Sequence, residues 1–183
     1  DQVFIDTGTY VMADTNNPII WGTGDEGKPG QAVEVFGSPN GTWFDAPYDF
    51  APIGADRAFF YMNGNYVNLR HLRFRGESLV FRGNGLVVSN VVVTNRAGGF
   101  PVTVRVRGDG VRFRDLQVDR GGLTLSGLSN RVERMRQRWG ETEIVGTNAT
   151  LVNSAILTTN ANRTGIVVNA AYSIVSNCTV LAT

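Results

Sequence analysis

The chain has 183 residues, of which 42% are hydrophobic, and this is enough for one domain with a core of its own. Glycine is abundant at 22 residues and no window is rich in Ala, Glu and Lys, so we expect an all-β fold. A single cysteine, Cys178, excludes an internal disulfide and a cysteine-based metal site. No apolar run is long enough to span a bilayer, so we expect no membrane span.

The net charge of +1 conceals an uneven distribution along the chain. Residues 1–69 carry nine acidic side chains against Lys28 and Arg57, which leaves a balance of −7. Residues 70–138 carry fourteen arginines against five acids, a balance of +9. Because the planar guanidinium presents paired donors to carboxylates and phosphates, this middle part of the chain is suited to an acidic partner.

The first 57 residues contain short strand-like runs separated by irregular segments. Residues 3–10 alternate in polarity and turn at glycine, and we interpret them as one strand. Runs at 19–21, 33–37 and 42–44 are also predicted strands, whereas the glycine-rich stretch 22–30 is a predicted loop. Residues 45–57, which contain two prolines and a glycine, are predicted to form an irregular surface loop.

From residue 58 onward the chain repeats one unit six times. Each unit has a short apolar strand, a turn that usually contains glycine, a second strand, one polar residue and a third strand. We call the polar residues anchors and count positions from them; the anchors are His71, Asn90, Asp115, Arg134, Asn153 and Asn177. The alignment needs no gap within a unit, and extra residues fall in the connections, mainly at 94–103 and 157–165.

Alternation within the units predicts which side chains face inward. Positions −11, −9, −2, +1 and +3 are mostly apolar, and we expect them to form a continuous core. Glycine stands at −7 in five of the six units and is predicted to permit a bend with positive φ. Asparagine at the anchor tolerates the left-handed conformation, and His71 is interpreted as a turn residue in the same way. Cys178, at +1, is predicted to be a small buried apolar residue.

Six units in series predict a solenoid in which equivalent strands stack in parallel, about 4.8 Å apart. Three strands per unit, an asparagine at the second turn and variable loops before the first strand resemble the right-handed parallel β-helix of the pectin-lyase-like superfamily. The resemblance implies one domain over 1–183 with about eight coils, irregular with long loops over 1–57 and regular over 58–183. We also expect a segment of a longer protein, whose ends contact further coils or another chain.

The unit anchored on Arg134 departs from the pattern. Positions −4 and +3 of this unit hold Asn130 and Gln137, where other units mostly hold apolar residues. Either the unit shifts its register and buries Leu128 or Trp139, or the two amide side chains are buried with hydrogen-bond partners.

The resemblance implies a substrate groove along the outer face of the first strands, where positions −12, −10 and −8 point outward. Arg82, Arg105 and Arg107 are expected to cluster there on adjacent units, and together with Tyr61 they are the predicted ligand-binding residues. They predict contact with an acidic polysaccharide, because arginine can bind both oxygens of a carboxylate. The alternative is a set of solvated charges that keep the sheet soluble.

An enzyme is the second hypothesis, and its catalytic candidates are Arg105, Glu141 and Glu143. Arg105 would be the proton acceptor of a polysaccharide lyase, whereas the two glutamates, two residues apart on one strand, would flank the bond in a glycoside hydrolase. The resemblance implies calcium-binding carboxylates in a lyase, and no aspartate occupies the outward positions around the arginine cluster. No metal site or cofactor is predicted, and calcium stays open.

A second arginine set is expected to point outward from the second and third strands: Arg70, Arg73, Arg75, Arg112, Arg114, Arg131, Arg136 and Arg138. Asp119 and Glu133 are predicted to pair with some of them. The acidic first third of the same chain or of a neighbouring copy, an acidic polysaccharide and nucleic acid are candidates for the others. Nucleic acid is least favoured because no groove-reading helix is predicted. The sequence therefore favours a scaffold or binding module of a secreted or cell-surface protein, located outside the cell.

Overall fold

A computed structural model describes residues 1–11, 18–46, 58–76, 78–95, 101–158 and 165–182. Residues 47–57 of the loop predicted at 45–57 and parts of the connections at 94–103 and 157–165 lie outside these residues, whereas Asp45 belongs to a strand and not to the predicted loop. The described strands are β1 (Gln2–Ile5), β2 (Gly8–Val11), β3 (Ile19–Trp21), β4 (Val33–Gly37), β5 (Thr42–Asp45), β6 (Phe60–Met62), β7 (Val67–Arg70), β8 (Leu72–Arg75), β9 (Ser78–Phe81), β10 (Val87–Thr94), β11 (Val102–Val106), β12 (Arg112–Asp119), β13 (Gly121–Leu125), β14 (Arg131–Glu133), β15 (Arg136–Arg138), β16 (Thr142–Ile144), β17 (Thr150–Val152), β18 (Ala155–Thr158), β19 (Ile166–Val168), β20 (Ile174–Ser176) and β21 (Thr179–Ala182).

The fold is all-β, and helix is confined to one short 3-10 turn at Thr23–Asp25 within the described residues. The predicted single strand at 3–10 is wrong, because the chain bends at Asp6 and Thr7 and forms β1 and β2 instead. The strands belong to two long sheets in which every pairing is parallel.

The first strands of the units form a seven-stranded sheet in the order β3-β6-β9-β11-β13-β16-β19. The second strands form the row β1-β4-β7-β10-β12-β14-β17-β20 of the other sheet. The third strands form the row β2-β5-β8-β10-β12-β15-β18-β21, and the eight-residue strands β10 and β12 belong to both rows. Each strand therefore pairs with its equivalent in the neighbouring unit.

The observed register agrees with the sequence alignment at every position tested. At −2, Leu69 pairs with Val88, Val88 with Phe113 and Phe113 with Val132. The columns at −11 and +3 are continuous in the same way. Residues of these inward columns are buried in the first five units, and their side chains form one core. The predicted facing is therefore confirmed there, because residues of one column fall on the same side of a pleated strand.

All six anchors adopt the left-handed conformation, with φ between 50° and 58°. The prediction that position −7 bends with positive φ is wrong, because the second column of positive φ lies at −5. This position holds glycine in two adjacent units, at Gly85 and Gly110, and other residues in the remaining four. Glycine is required at −7 for another reason. A Cβ at Gly108 would overlap the carbonyl oxygen of Gly83, and one at Gly127 would overlap that of Gly108.

A ladder of side-chain acceptors follows this glycine column at position −6. Asn65 Oδ1 accepts a 2.8 Å hydrogen bond from the backbone N–H of Asn84, and Asn84 Oδ1 accepts one of equal length from that of Asp109. Asp109 Oδ1 in turn accepts a 2.7 Å bond from the N–H of Leu128, and there the ladder ends because leucine has no acceptor. The ladder fixes the first turns of four successive units to one another.

The Arg134 unit keeps its register and buries its two amides. Leu128 and Trp139 are 52% and 46% exposed, whereas Asn130 and Gln137 are buried. Asn130 Oδ1 accepts a 2.8 Å bond from the N–H of Val111, and Gln137 Oε1 accepts a 2.6 Å bond from the hydroxyl of Thr142. The second of the two sequence alternatives is thus confirmed for burial and for the amide oxygens, whereas Asn130 Nδ2 and Gln137 Nε2 have no hydrogen-bond partner among the described residues.

Apolar side chains are exposed at both ends of the stacked sheets. Phe4 of β1 is 73% exposed, and Tyr172, before β20, is 85% exposed. Cys178 packs against the core but is only partly buried, because no described strand follows β21 in its row.

Candidate ligand-binding surfaces

The first-strand face places the predicted site residues in columns that cross the units. Tyr61 pairs with Val80, Val80 with Arg105 and Arg105 with Thr124, which pairs with Glu143. Arg105 and Glu143 are therefore two steps apart in one column, about 10 Å at the usual strand spacing. Arg82 and Arg107 directly follow the paired residues Phe81 and Val106, so they are neighbours in a second column.

The first-strand face is covered at β9. Ser78 and Val80 are 7% and 0% exposed, although alternation predicts that both point toward solvent. Val80 stands in the same column as Tyr61 and Arg105 but is covered, so this unit adds no accessible surface to the predicted groove.

Two of the predicted ligand-binding residues contact each other on this face. The guanidinium carbon of Arg82 lies 5.2 Å from the centroid of the Tyr61 ring, within the range of a cation–π contact. The Tyr61 hydroxyl accepts a 3.2 Å hydrogen bond from the N–H of Ala58. Arg82 and Arg107 are exposed, whereas Arg105 is half-buried.

The catalytic candidates Glu141 and Glu143 are both half-buried at the start of β16. Their positions, two residues apart along one strand, separate them by about 7 Å. Among the described residues, no three His, Cys, Asp or Glu side chains are grouped closely enough to hold a metal ion.

Part of the second arginine set pairs with the acidic first third of the chain, as one of the alternatives predicted. Arg70 lies 3.5 Å from Glu34, and Arg75 lies 3.8 Å from Asp45. The ring of Trp43 also contacts Arg75 and Arg73, with the guanidinium carbons 4.7 Å and 5.6 Å from its centroid. Arg70 and Arg75 are therefore paired with acids, whereas Arg73 keeps its positive charge beside the neutral Trp43 ring.

Farther along, arginines outnumber their acidic partners. Arg114, Arg131 and Arg134 all lie within 3.9 Å of one carboxylate, that of Glu133, as predicted for this glutamate. Three exposed arginines of the same two units form no ion pair with any residue that the structure describes: Arg112, Arg136 and Arg138. The two units that contain residues 112–138 therefore present a surface with excess positive charge.

The anchors line a depression that we call the turn groove. Because a single residue with φ near +55° bends the chain, the six anchors in register produce a line of aligned bends. Three cavities lie along this line, with volumes of about 470, 350 and 670 Å³. The walls of the second and third are largely the anchors and the residues at +2, which are side chains of the third strands. The first is lined by His71 and by residues of the first two strand pairs, among them Phe4, Asp6 and Phe36.

Two side-chain contacts connect successive anchors inside the turn groove. Arg134 donates hydrogen bonds of 2.7 Å and 2.8 Å to the two carboxylate oxygens of Asp115. These bonds hold the pKa of Asp115 below its ordinary value of 3.8 and raise that of Arg134. Asn177 Nδ2 donates a 2.6 Å bond to Asn153 Oδ1. The groove therefore contains one neutralised ion pair and several amide groups.

The sequence predicts turns at the anchors but no groove. The signal was present, because six polar residues recur in register and the residues at +2 include Arg73, Gln117 and Arg136. The sequence does not reveal the curvature of the surface, which depends on how neighbouring bends align.

Comparison with protein-family models, with curated proteins and with solved structures finds no match to this chain. None of the helices in the described ranges has the length and apolar character needed to cross a membrane.

Proposed function

We propose that the chain is an extracellular binding module of a secreted or cell-surface protein, and that an arginine-rich face of it binds an acidic polysaccharide. We further propose that it is a right-handed parallel β-helix of about eight coils, similar to the pectin-lyase-like superfamily. Three parallel strand rows and a one-residue turn at each anchor support this architecture. The exposed apolar ends support contact with further coils or another chain.

One observation carries the proposal of an acidic ligand. Within units 112–138, Glu133 and Asp115 are already surrounded by arginines, while Arg112, Arg136 and Arg138 have no acidic partner among the described residues. Like charges on adjacent strands repel one another, and an anionic polymer would relieve this repulsion.

The experiment is binding of the purified chain to a panel of polysaccharides, with polygalacturonate, heparin and neutral dextran as probes. We expect binding to the two anionic polymers, weakening as salt is raised, and none to dextran, because screened charges lose their attraction. Equal binding to dextran, or no binding to either anionic polymer, would contradict the proposal.

Two triple variants of equal charge locate the surface. Replacing Arg112, Arg136 and Arg138 by glutamine should weaken binding about tenfold or more. The matched control carries three glutamines on the first-strand face at positions 82, 105 and 107, and we expect a smaller loss there because that face is closed at Val80. A larger loss of binding in the variant at 82, 105 and 107 would instead assign the ligand to the first-strand face, as the sequence predicts.

The alternative function is a polysaccharide lyase or glycoside hydrolase. It is favoured by the shared column of Arg105 and Glu143 and by the spacing of Glu141 and Glu143. The same panel, incubated with and without calcium, tests it by release of unsaturated or reducing ends. Turnover abolished by Arg105→Ala or Glu143→Ala, in a chain that still folds, would support an enzyme, and no turnover on any probe would reject it.

A further inference from the structure

The three cavities of the turn groove adjoin one another across the units. The first and second cavities share His71 and Pro39, and the second and third share Asp115 and Gln117. From His71 to Asn177 the groove crosses six units, which corresponds to about 24 Å at 4.8 Å per step. A depression of this length that runs across the strands suits an extended chain better than a compact ligand.

The walls of the groove are chemically suited to a hydroxylated, negatively charged chain. Arg73 and Arg136 stand in one column, three steps or about 14 Å apart, and neither forms an ion pair with a described residue. Asp115, the acid between them, is neutralised by Arg134. Amides such as Gln117 offer both donors and acceptors to hydroxyl groups.

An extended peptide fits this groove less well. Peptides that bind β-proteins lengthwise commonly add a strand to a free sheet edge and form main-chain hydrogen bonds. In the turn groove the strands are already paired with their neighbours on both sides, as β12 is with β10 and with β14 and β15. The groove therefore offers side chains, and the observations favour a polysaccharide over a peptide.

We propose that the turn groove binds one linear polysaccharide chain lengthwise, with anionic groups, carboxylate or sulfate, held by Arg73 and Arg136. This inference rests on the proposed function, and it assigns the binding site to the line of anchors. It predicts that the affinity for oligosaccharides rises with their length until they span both arginines, and then levels off.

A bulky substitution in the turn groove can distinguish binding in the groove from binding on the rest of the cationic surface. Ala155 is exposed and lines the groove at +2, whereas Ala171 is exposed and lies in the first turn of the next unit, at −6. Ala155 pairs with Arg136, so an indole in its place lies beside the guanidinium that binds the anionic group. Ala155→Trp should therefore weaken binding of anionic oligosaccharides about tenfold without changing the charge. Ala171→Trp is the matched control and should leave affinity within about twofold.

Arg136→Gln should also weaken binding about tenfold, and it should lower the salt dependence because one charge contact is lost. Circular dichroism and thermal unfolding establish that each variant is folded. Polygalacturonate and heparin fragments distinguish carboxylate from sulfate as the anionic group, and poly-glutamate serves as the peptide competitor.

The outcomes separate this inference from the proposed function. If the wild-type chain binds no anionic polysaccharide, both are wrong. If it binds, and the triple glutamine variant at 112, 136 and 138 weakens binding while Ala155→Trp does not, the cationic surface is supported and the groove is rejected. Stronger competition by poly-glutamate than by either oligosaccharide would overturn the ligand class.

Discussion

Arg134 donates two hydrogen bonds to Asp115 across the boundary between two units, and both residues are anchors with φ near +55°. The side-on geometry pairs both carboxylate oxygens with two guanidinium nitrogens, an arrangement that adds specificity to a charged contact. The two side chains remain 50% and 41% exposed, so water and salt weaken the interaction. The pair therefore aligns neighbouring bends more than it stabilises the whole fold.

This contact predicts a pH-dependent difference between the wild-type chain and Asp115→Asn. Because the folded-state pKa of Asp115 lies below its ordinary value of 3.8, its contribution is present above that pH and is lost as the pH falls through the folded-state pKa. We expect the wild type to have a slightly higher free energy of unfolding at about pH 7 and no advantage near about pH 2. Urea unfolding at both pH values measures this, and in an Arg134→Gln background the substitution should have less effect at about pH 7. An advantage that persists at low pH would contradict the ion-pair explanation.

The inward columns could be predicted from sequence, because a strand that buries one face alternates with a period of two, and a slip of one residue would expose the whole column. The burial of the two amide side chains in the Arg134 unit could not be predicted from sequence, because their hydrogen-bond partners lie in other units. Val111 belongs to the preceding unit, and Thr142 belongs to the next strand. Composition alone does not reveal such partners.

The role of the glycines at −7 could not be predicted from sequence either. A repeated glycine suggests positive φ, but the constraint at Gly108 is the carbonyl group of Gly83 in the unit below. The first-strand site was predicted from alternation and from family resemblance, and neither reports that Val80 is covered. The turn groove required the alignment of successive bends, which is a property of the stack as a whole.

The close approach at position −7 predicts that Gly108→Ala is strongly destabilising. The new Cβ would overlap backbone atoms of the preceding unit, which cannot move without breaking the parallel pairing, so we expect a loss of about 3 kcal/mol or more. Gly110→Asn is the control, since this position has φ +64°, open space around a Cβ, and asparagine in an equivalent place at Asn148. Chemical denaturation should show a much smaller change for Gly110→Asn, and similar losses for the two variants would refute the steric explanation.

The acceptor ladder at −6 predicts that removing one acceptor lowers the free energy of unfolding and that adding one raises it. Asn84→Ala removes the acceptor for the N–H of Asp109 and should lower the free energy of unfolding by about 1 kcal/mol. Leu128→Asn should extend the ladder toward the next unit and remove an exposed apolar side chain, with a gain of about 0.5 kcal/mol. Urea denaturation of both variants measures these changes. A destabilised Leu128→Asn would show that the ladder has a structural reason to end there.

The buried pair of Gln137 and Thr142 predicts non-additive substitutions. Thr142→Val alone leaves Gln137 Oε1 without its donor in the core, where Gln137 Nε2 already has no partner among the described residues, so we expect a loss of about 1–3 kcal/mol. Gln137→Leu combined with Thr142→Val removes every polar group of the pair and should be neutral or stabilising, since the equivalent residues at +3 in neighbouring units are Val118 and Ile156. A double-mutant cycle by denaturant unfolding gives the coupling, and additive losses would mean that the two side chains do not act as a pair.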